Sequence, residues 1–462
     1  MPQPIPGLPV PEPCISFWQQ TTRSFPHLNI NRDEPVPTES AYVVIGSGIS
    51  GALTTYELIE GGVPAEDITI IEAREAASGA SSRNAGHVRP DAFRGFQVYR
   101  QLHGVDQALK IIANERTVLN KVHEFVEKHG VQCDFNPTTT FDVCLTQEFA
   151  DFNAESFKQY EAAGGDVSHI KFYDGEEAWR VTRVGKAISA YEWPAGSSHP
   201  AKLAQWLLTQ SVKKGVRLFT HCPVTSVAKS ASSTASQTYW DLSTPRGITK
   251  ASTVIHCTNA FAPYLLPHLS SFITPNRAQA HAFVPPAPLN SSNILPSTMS
   301  LRHTLKHFYS VAQRRPDGII ILGAPIANPV ISPEAAASRL LPDDSFINEE
   351  VKEDAIRNFE ECFPACEKAK LLHGEGLLHA WTGIVGMTAD SVPFVGKIKS
   401  LPGQWICAGF NGHGMARIFT SAPGVAKLIL GGSWADTGLP ECFEITEERL
   451  ERLQKGVTES VF

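Results

Sequence analysis

Three glycines and a glutamate carry the first recognisable chemistry in this chain. Residues 42–51 read YVVIGSGISG, with Gly46, Gly48 and Gly51 spaced G-x-G-x-x-G, and the next apolar run, ITII, ends at Glu72. The first glycine permits a tight turn from strand to helix, the second admits backbone N–H groups to a pyrophosphate, and the third lets helix and strand pack closely. The phosphates then sit at the positive end of the helix dipole. A carboxylate at Glu72 accepts from both ribose hydroxyls and repels a 2′-phosphate, which argues against NADP and leaves NAD and FAD open. Further along, SGASSRNAGHVRPDAFRGF (78–96) is rich in small residues and hydroxyls and carries Arg83, Asn84, His87, Arg89 and Arg94. Such a loop suits a second phosphate region and a ring system beyond it. Arg89 and Arg94 are candidates to hold a substrate carboxylate bidentately.

The 78–86 string resembles the S-G-A-S-x-R-N-x-G segment of FAD-dependent oxidoreductases of the D-amino-acid oxidase superfamily, and is most similar to the γ-glutamylputrescine oxidoreductase-like branch. Other landmarks follow in that family's order. SSHPAKLAQWL (197–207) resembles its G-x-x-HP-x-x-L segment, PVTSV (223–227) its adenine-side strand at Val224, HCTNAFAP (256–263) its A-T-N-A-Y-A, and PNRAQ (275–279) its P-x-R-x-Q. AWTGIVGMTADSVPFVG (380–396) and CAGFNGHGMA (407–416) resemble its two C-terminal flavin motifs. The resemblance covers about residues 40–430.

It implies a bound FAD. The candidate cofactor contacts are Gly46, Gly48, Ile49, Ser50, Gly51, Glu72, Ala73 and Arg74 for the ADP half, with Val224, Thr258 and Asn259 alongside. Ser78, Ser81, Ser82, Arg83, Asn84, Ala85, Gly86 and His87 follow from the 78–96 segment, and Gly383, Gly409, Asn411, Gly412, His413, Gly414 and Met415 from the C-terminal motifs. The flavin ring is expected between Arg83–His87 and the 409–415 loop, whose amides and His413 would stabilise charge developing on the pyrimidine edge. Branches that tether FAD covalently carry cysteine where Gly383 stands or histidine where Arg83 stands, so the attachment expected here is noncovalent. Sarcosine oxidases place a lysine that assists oxygen where this chain has Ile321, which weakens direct use of O2.

The implied reaction is oxidation of the C–N bond of an amine or amino acid. Hydride passes to flavin N5, the imine hydrolyses, and O2 (giving peroxide) or another acceptor reoxidises the flavin. His87 is the candidate near N5, with a charge that changes near neutral pH. His413 joins it as a catalytic candidate, and Tyr309 and Trp381 are further catalytic candidates and pocket walls, Tyr309 also touching substrate. Two alternatives stay open: an NAD(P)H-dependent flavin monooxygenase or reductase, and a non-catalytic FAD-binding interaction protein. A second glycine fingerprint or a redox C-x-x-C would mark the former, and the sequence has neither.

Composition narrows the class. A chain of 462 residues with 42% hydrophobic and 19% charged residues has the make-up of an ordinary globular protein of two or three domains. A formal charge of −7 argues against a nucleic-acid partner. Nine scattered cysteines match no disulfide framework, and Cys362 and Cys366, four apart, lack two further ligands for a metal, so no metal is expected and a reducing, cytoplasmic setting is. No apolar stretch is long enough for a membrane helix. The N-terminus is not a secretory signal, and ESVF is not a peroxisomal address.

These residues need elements to position them. The fold class expected is α/β (α+β): a Rossmann-like FAD-binding domain interleaved with a substrate domain on a mixed or antiparallel sheet. Six prolines in the first thirteen residues predict an extended arm over 1–38, anchored by Trp18. The FAD domain is expected from 39–95, 196–262 and 375–440, the substrate domain from 96–195 and 263–374, and a tail from 441–462. Helices are predicted over 49–60, 105–130 and 201–215, a strand over 136–147, and a hairpin over 307–324 turning at Asp317-Gly318. Short strands alternating with glycines are predicted from 377 onward.

Overall fold

A computed structural model describes residues 7–325 and 327–456. The ends of the proline-rich arm and of the C-terminal tail (1–6 and 457–462) lie outside the described residues.

The nucleotide side is a six-stranded sheet ordered Phe394–Lys397, Gln404–Ala408, Thr253–His256, Tyr42–Ile45, Ile68–Ile71, Arg217–Phe219. Its five inner and far-edge strands run parallel, and only Phe394–Lys397 is antiparallel. Parallel strands must be covered on both faces, and alternation along each strand divides the cover. Val44, Ile70, Leu218 and Ile255 face the helices Ile49–Glu60, Pro200–Lys214 and Ile418–Ile429. Val43, Ile45, Ile71 and Val254 face a small antiparallel sheet (Ser226–Lys229, Trp240–Thr244, Gly247–Ala251) through Trp240 and Leu242. The helix after the glycines spans Ile49–Glu60, as its periodicity predicts.

The second sheet is mixed. Along its path run Gly376–Thr388, Ile273–Val284, Ile320–Gly323, Phe308–Gln313, Thr298–Arg302, Asn136–Cys144, Ser189–Ser197 and His87–Val88, with Lys171–Asp174 pairing Ser189–Ser197 off the path. Thr298–Arg302 and Asn136–Cys144 pair in parallel, and the remaining neighbours are antiparallel. The helix Val105–His129 ends on Gly130 in the left-handed region.

Two boundaries differ from the sequence reading. The expected FAD segment 375–440 is divided, because Gly376–Thr388 is one long strand at the edge of the second sheet. Its glycines look like strand breaks in the sequence but serve close approach instead. A Cβ on Gly383 would lie 2.8 Å from Arg83 Cβ, and one on Gly386 2.7 Å from Asn259 Oδ1. His87–Val88, placed in the FAD segment 39–95, also pairs into the second sheet. The helix Glu349–Cys362 stops before Cys366, so that cysteine pair does not share a helix face. Among the described residues no helix is long and apolar enough to cross a membrane.

The arm is seated rather than loose. Ser16 caps a one-turn helix, Phe17–Gln20, and Trp18 is 1% exposed. The tail is seated too: in the helix Glu447–Gly456, Arg449 grips Asp390 through Nε (2.9 Å) and Nη2 (2.8 Å) and lies 3.9 Å over the Phe394 ring. Removing one partner of a buried pair strands the other charge. Arg449→Ala is therefore expected to cost about 3–5 kcal/mol, read as a fall in denaturation midpoint, and an unchanged midpoint contradicts this.

Candidate active site

The glycine turn places each of its residues for a reason. Gly46 has φ +103°, and a Cβ there would meet the Cys257 carbonyl oxygen at 2.8 Å. A Cβ on Gly51 would lie 2.0 Å from the Gly46 carbonyl oxygen, so the third glycine closes helix onto turn. Gly48 faces Ser81, whose Oγ accepts from the Ile49 amide at 2.8 Å. That amide is the first donor of the helix, and Ser81 therefore delimits its anion-binding end. Glu72 is fixed by Ser47, which donates from both N (2.9 Å) and Oγ (2.7 Å) to Oε2, while the Arg74 amide donates to Oε1 at 3.0 Å. Ser47 is absent from the sequence-derived set. A fingerprint position marked "x" carries no signal for it.

An open cleft runs from this turn to the C-terminal loop. Gly46, Gly48, Ile49, Ser50, Glu72, Ala73, Arg74, Val224, Thr258 and Asn259 line one part. Ser81, Arg83, Asn84, Gly383, Gly412, Gly414 and Met415 line the rest, with Ala278, Val385 and Ile418. Leu8 and Pro9 of the arm also line it, a contact the sequence does not announce. The heads of Arg74 and Arg83 turn to one buried carboxylate, Asp344, at 2.8 and 3.3 Å, and Arg83 donates further to the Ser78 and Thr382 carbonyls. Burial pushes Arg83 below the ordinary arginine value, and Asp344 offsets part of that.

Several of the expected contacts support the cleft from behind. Asn411, at φ +54°, accepts from the Thr388 amide at 2.7 Å and donates to the Gly409 carbonyl at 2.9 Å. Asn259 Oδ1 accepts from the Gly409 and Phe410 amides at 3.0 and 3.2 Å. Ser82 Oγ donates to the Ala77 carbonyl at 2.6 Å, and Ser78, Ser82, Ala85, Gly86, His87, Gly409 and His413 do not line the cleft. His413 Nδ1 lies 3.4 Å from Glu115, a buried carboxylate that also receives Arg417 Nε at 2.8 Å and the Asp91 amide at 2.7 Å. Burial alone would raise the Glu115 pKa, but Arg417 and His413 hold it at about 2.

The segment 83–89 crosses from one sheet to the other under firm restraint. Trp381 Nε1 donates to the Arg83 carbonyl at 2.8 Å, and Trp18 Nε1 to the Asn84 carbonyl at 2.6 Å. A Cβ on Gly86 (φ +77°) would meet the Ser198 carbonyl oxygen at 2.7 Å and the Trp18 ring at 3.0 Å. His87–Val88 then packs against the Gly414–Ala416 turn. Both ring nitrogens of His87 are shut from water, with no hydrogen-bond partner among the described residues. Burial and the neighbouring Arg89 push its pKa down to about 3, so the ring is neutral at physiological pH and the expected titration near neutrality is corrected.

Arg89 and Arg94 meet at a residue the sequence did not single out. Asp142, buried, receives Arg89 Nη2 at 2.6 Å, Arg94 Nη1 at 3.0 Å and Arg302 Nε at 2.9 Å. Arg94 also sits 3.5 Å from Asp91. The Arg89 side chain is 12% exposed against 2% for Arg94 and 3% for Arg302, so Arg89 is the least closed of the three. Arg94 is thus not available for a ligand. Tyr309 is not brought to the cleft either: it lies in the core against Phe359, and its OH donates to Asp354 at 2.5 Å. Trp381 is fully buried and acts through Arg83 rather than as a reacting group.

The model of the DAO family, described as "FAD dependent oxidoreductase", matches residues 41–430. The chain belongs to this family. A probable oxidoreductase, OrdL, of Haemophilus influenzae is 23% identical over 433 residues, covering 90% of this chain and 89% of that protein. The gamma-glutamylputrescine oxidoreductase of Escherichia coli is 20% identical, covering 84% and 83%. Among solved structures, an L-proline dehydrogenase from P. horikoshii shares the fold at a TM-score of 0.66 and 21% identity, covering 90% of this chain and 99% of that one. The family's cofactor is FAD, and the residues present fit it. Glu72 and the start of the helix at Ile49 both line the cleft, Thr258 Oγ1 lines it with no hydrogen-bond partner among the described residues, and close-packed glycines floor both ends.

Gly48→Val would drive a side chain against Ser81 and close the pyrophosphate approach, so the variant is expected to purify colourless with unchanged circular dichroism. Stoichiometric flavin in that variant contradicts this assignment. His87 also carries a sign. Below about pH 6.5 the unfolded chain binds a proton that the native ring refuses until about pH 3, so stability is lost as pH falls through that window. His87→Gln is expected to lose less melting temperature than wild type between about pH 7 and pH 5, and an equal loss contradicts the buried neutral ring.

Proposed function

We propose that this chain oxidises the C–N bond of an amino acid, taking up its carboxylate at Arg89. FAD, when bound in the cleft, supplies the two-electron acceptor. The observation that carries the amino-acid reading is the charge balance behind Arg89. Three guanidiniums face Asp142 and Asp91, leaving positive charge in excess, and burial with repulsion from Arg94 and Arg89 pushes Arg302 down to about 9. Such an excess, least closed at Arg89, favours an anionic group there. Trp193, 4.9 Å from the Arg89 guanidinium, and Ser300, 3.3 Å from its Nη1, fix its direction.

The chain's own groups then orient and desolvate. His87, neutral and closed off from water, adds no repulsion beside Arg89. The arm and the two indoles keep the 83–87 backbone still, and the packed sheet face at Ala280 and Ile321 excludes water. Substrate must arrive as the free amine, because the charged neighbour of His87 among the described residues is Arg89, not a carboxylate that could take a proton. The names of two relatives, acting on proline and on gamma-glutamylputrescine, agree with C–N chemistry in the wider group. Noncovalent attachment is supported by Gly383 and Arg83 at the two tether positions, and nine free cysteines suit a reducing cytoplasm.

The test is anaerobic bleaching of the yellow protein. N-alkyl and primary amino acids are expected to bleach it faster than their decarboxylated amines, and acid precipitation is expected to release the flavin. Bleaching by NAD(P)H alone would overturn the reading.

A further inference from the structure

The N-terminal arm meets the cofactor cleft in two ways, through its own side chains and through its fastenings. Gly7, Leu8 and Pro9 line the cleft together with Glu72, Ala73 and Arg74, and Leu8, Pro9 and Val10 are half-buried. The Val10 carbonyl accepts from Arg74 Nη1 at 3.4 Å, so this stretch lies at the Glu72–Arg74 end of the cleft. Pro9, Pro11 and Pro13 bring no N–H group that docking could leave unsatisfied. Their fixed φ also lowers the conformational freedom lost when the arm is seated.

Further along, the arm is fastened to the segments that bound the cleft. The Cys14 amide donates to the Asp344 carbonyl at 2.8 Å, and Asp344 is the carboxylate that gathers Arg74 and Arg83. Cys14 Sγ lies 3.6 Å from Arg83 Nη1 and 3.5 Å from Thr382 Oγ1, beside Gly383. Ser16 Oγ donates to the Ser82 carbonyl at 2.5 Å, and Arg23 forks onto Glu75 at 2.7 and 2.6 Å. These contacts hold the arm to the protein, whereas Leu8 and Pro9 present apolar surface to whatever fills the cleft.

We propose that residues 7–10 are a cofactor-retaining strap: they lie against the Glu72–Arg74 end of bound FAD, and the arm must lift before the cofactor leaves. The inference rests on FAD filling the cleft and is independent of the substrate group read at Arg89. The coupling is reciprocal. Whatever free energy the seated arm adds to FAD binding, bound FAD adds to the seating of the arm.

The experiment compares wild type with Leu8→Ser/Pro9→Gly, a neutral change that leaves the fastenings from Cys14 onward in place, each loaded with FAD. Release is followed as free-flavin fluorescence after dilution. The variant is expected to release FAD at least about tenfold faster, with both apoproteins giving the same circular dichroism. Reciprocity is read in wild type by alkylation of Cys14 with iodoacetamide, located by peptide mass. Cys14 is expected to react at least about tenfold more slowly with FAD bound than in the apoprotein, while Cys442 in the tail reacts at the same rate in both. Should the variant fail to fold, the alkylation ratio carries the test. Equal release rates, or equal Cys14 alkylation with and without FAD, overturns the strap alone; a wild type that takes up no FAD overturns it together with the cofactor assignment.

Discussion

Two indole N–H groups donating to consecutive carbonyls, Trp381 to Arg83 and Trp18 to Asn84, fix the point at which the two sheets of this protein meet. Upstream of that point the chain belongs to the parallel sheet and its glycine turn; four residues later it pairs into the mixed sheet as His87–Val88. Arg83, His87 and Arg89 all hang from this crossing. Buried carbonyls need donors, and here the donors come from the N-terminal arm and from the long edge strand, elements about 360 residues apart. The arm is therefore part of the site's architecture, and its inclusion in the cofactor cleft through Leu8 and Pro9 follows from the same docking.

Buried carboxylates do the remaining fastening. Asp344 gathers Arg74 and Arg83, Asp142 gathers Arg89, Arg94 and Arg302, Glu115 gathers Arg417 and His413, and Asp390 gathers Arg449. Such pairs add little net stability against an apolar alternative, yet losing one partner is costly. Their value is geometric. Each carboxylate ties together segments that are distant in sequence, so register and orientation are set together.

Local signals in the sequence were reliable where the chemistry is local. The G-x-G-x-x-G turn, the helix Ile49–Glu60 and the end of the second strand at Glu72 are contiguous patterns with a direct physical reading, and the structure reproduces them. The strand Gly376–Thr388 was obscured because its glycines answer to Arg83 and Asn259 across the fold, not to a turn. Arg94 and Tyr309 looked like ligand groups because arginine and tyrosine often are. Their partners Asp142 and Asp354 lie 48 and 45 positions away, and no spacing rule connects them. Ser47, Asp344 and Glu115 escaped notice for the same reason. His87 was expected near the flavin with a charge changing near neutral pH, but its protonation depends on burial, which composition does not reveal.

Reading a carboxylate through Arg89 is the central claim, and Arg89→Met in the FAD-loaded protein tests it most directly. Rapid-mixing measurement of anaerobic flavin reduction should show the apparent substrate dissociation constant rising for an amino acid by about tenfold or more, with that of the matching decarboxylated amine unchanged. An equal change for both, or none for the amino acid, would contradict the account.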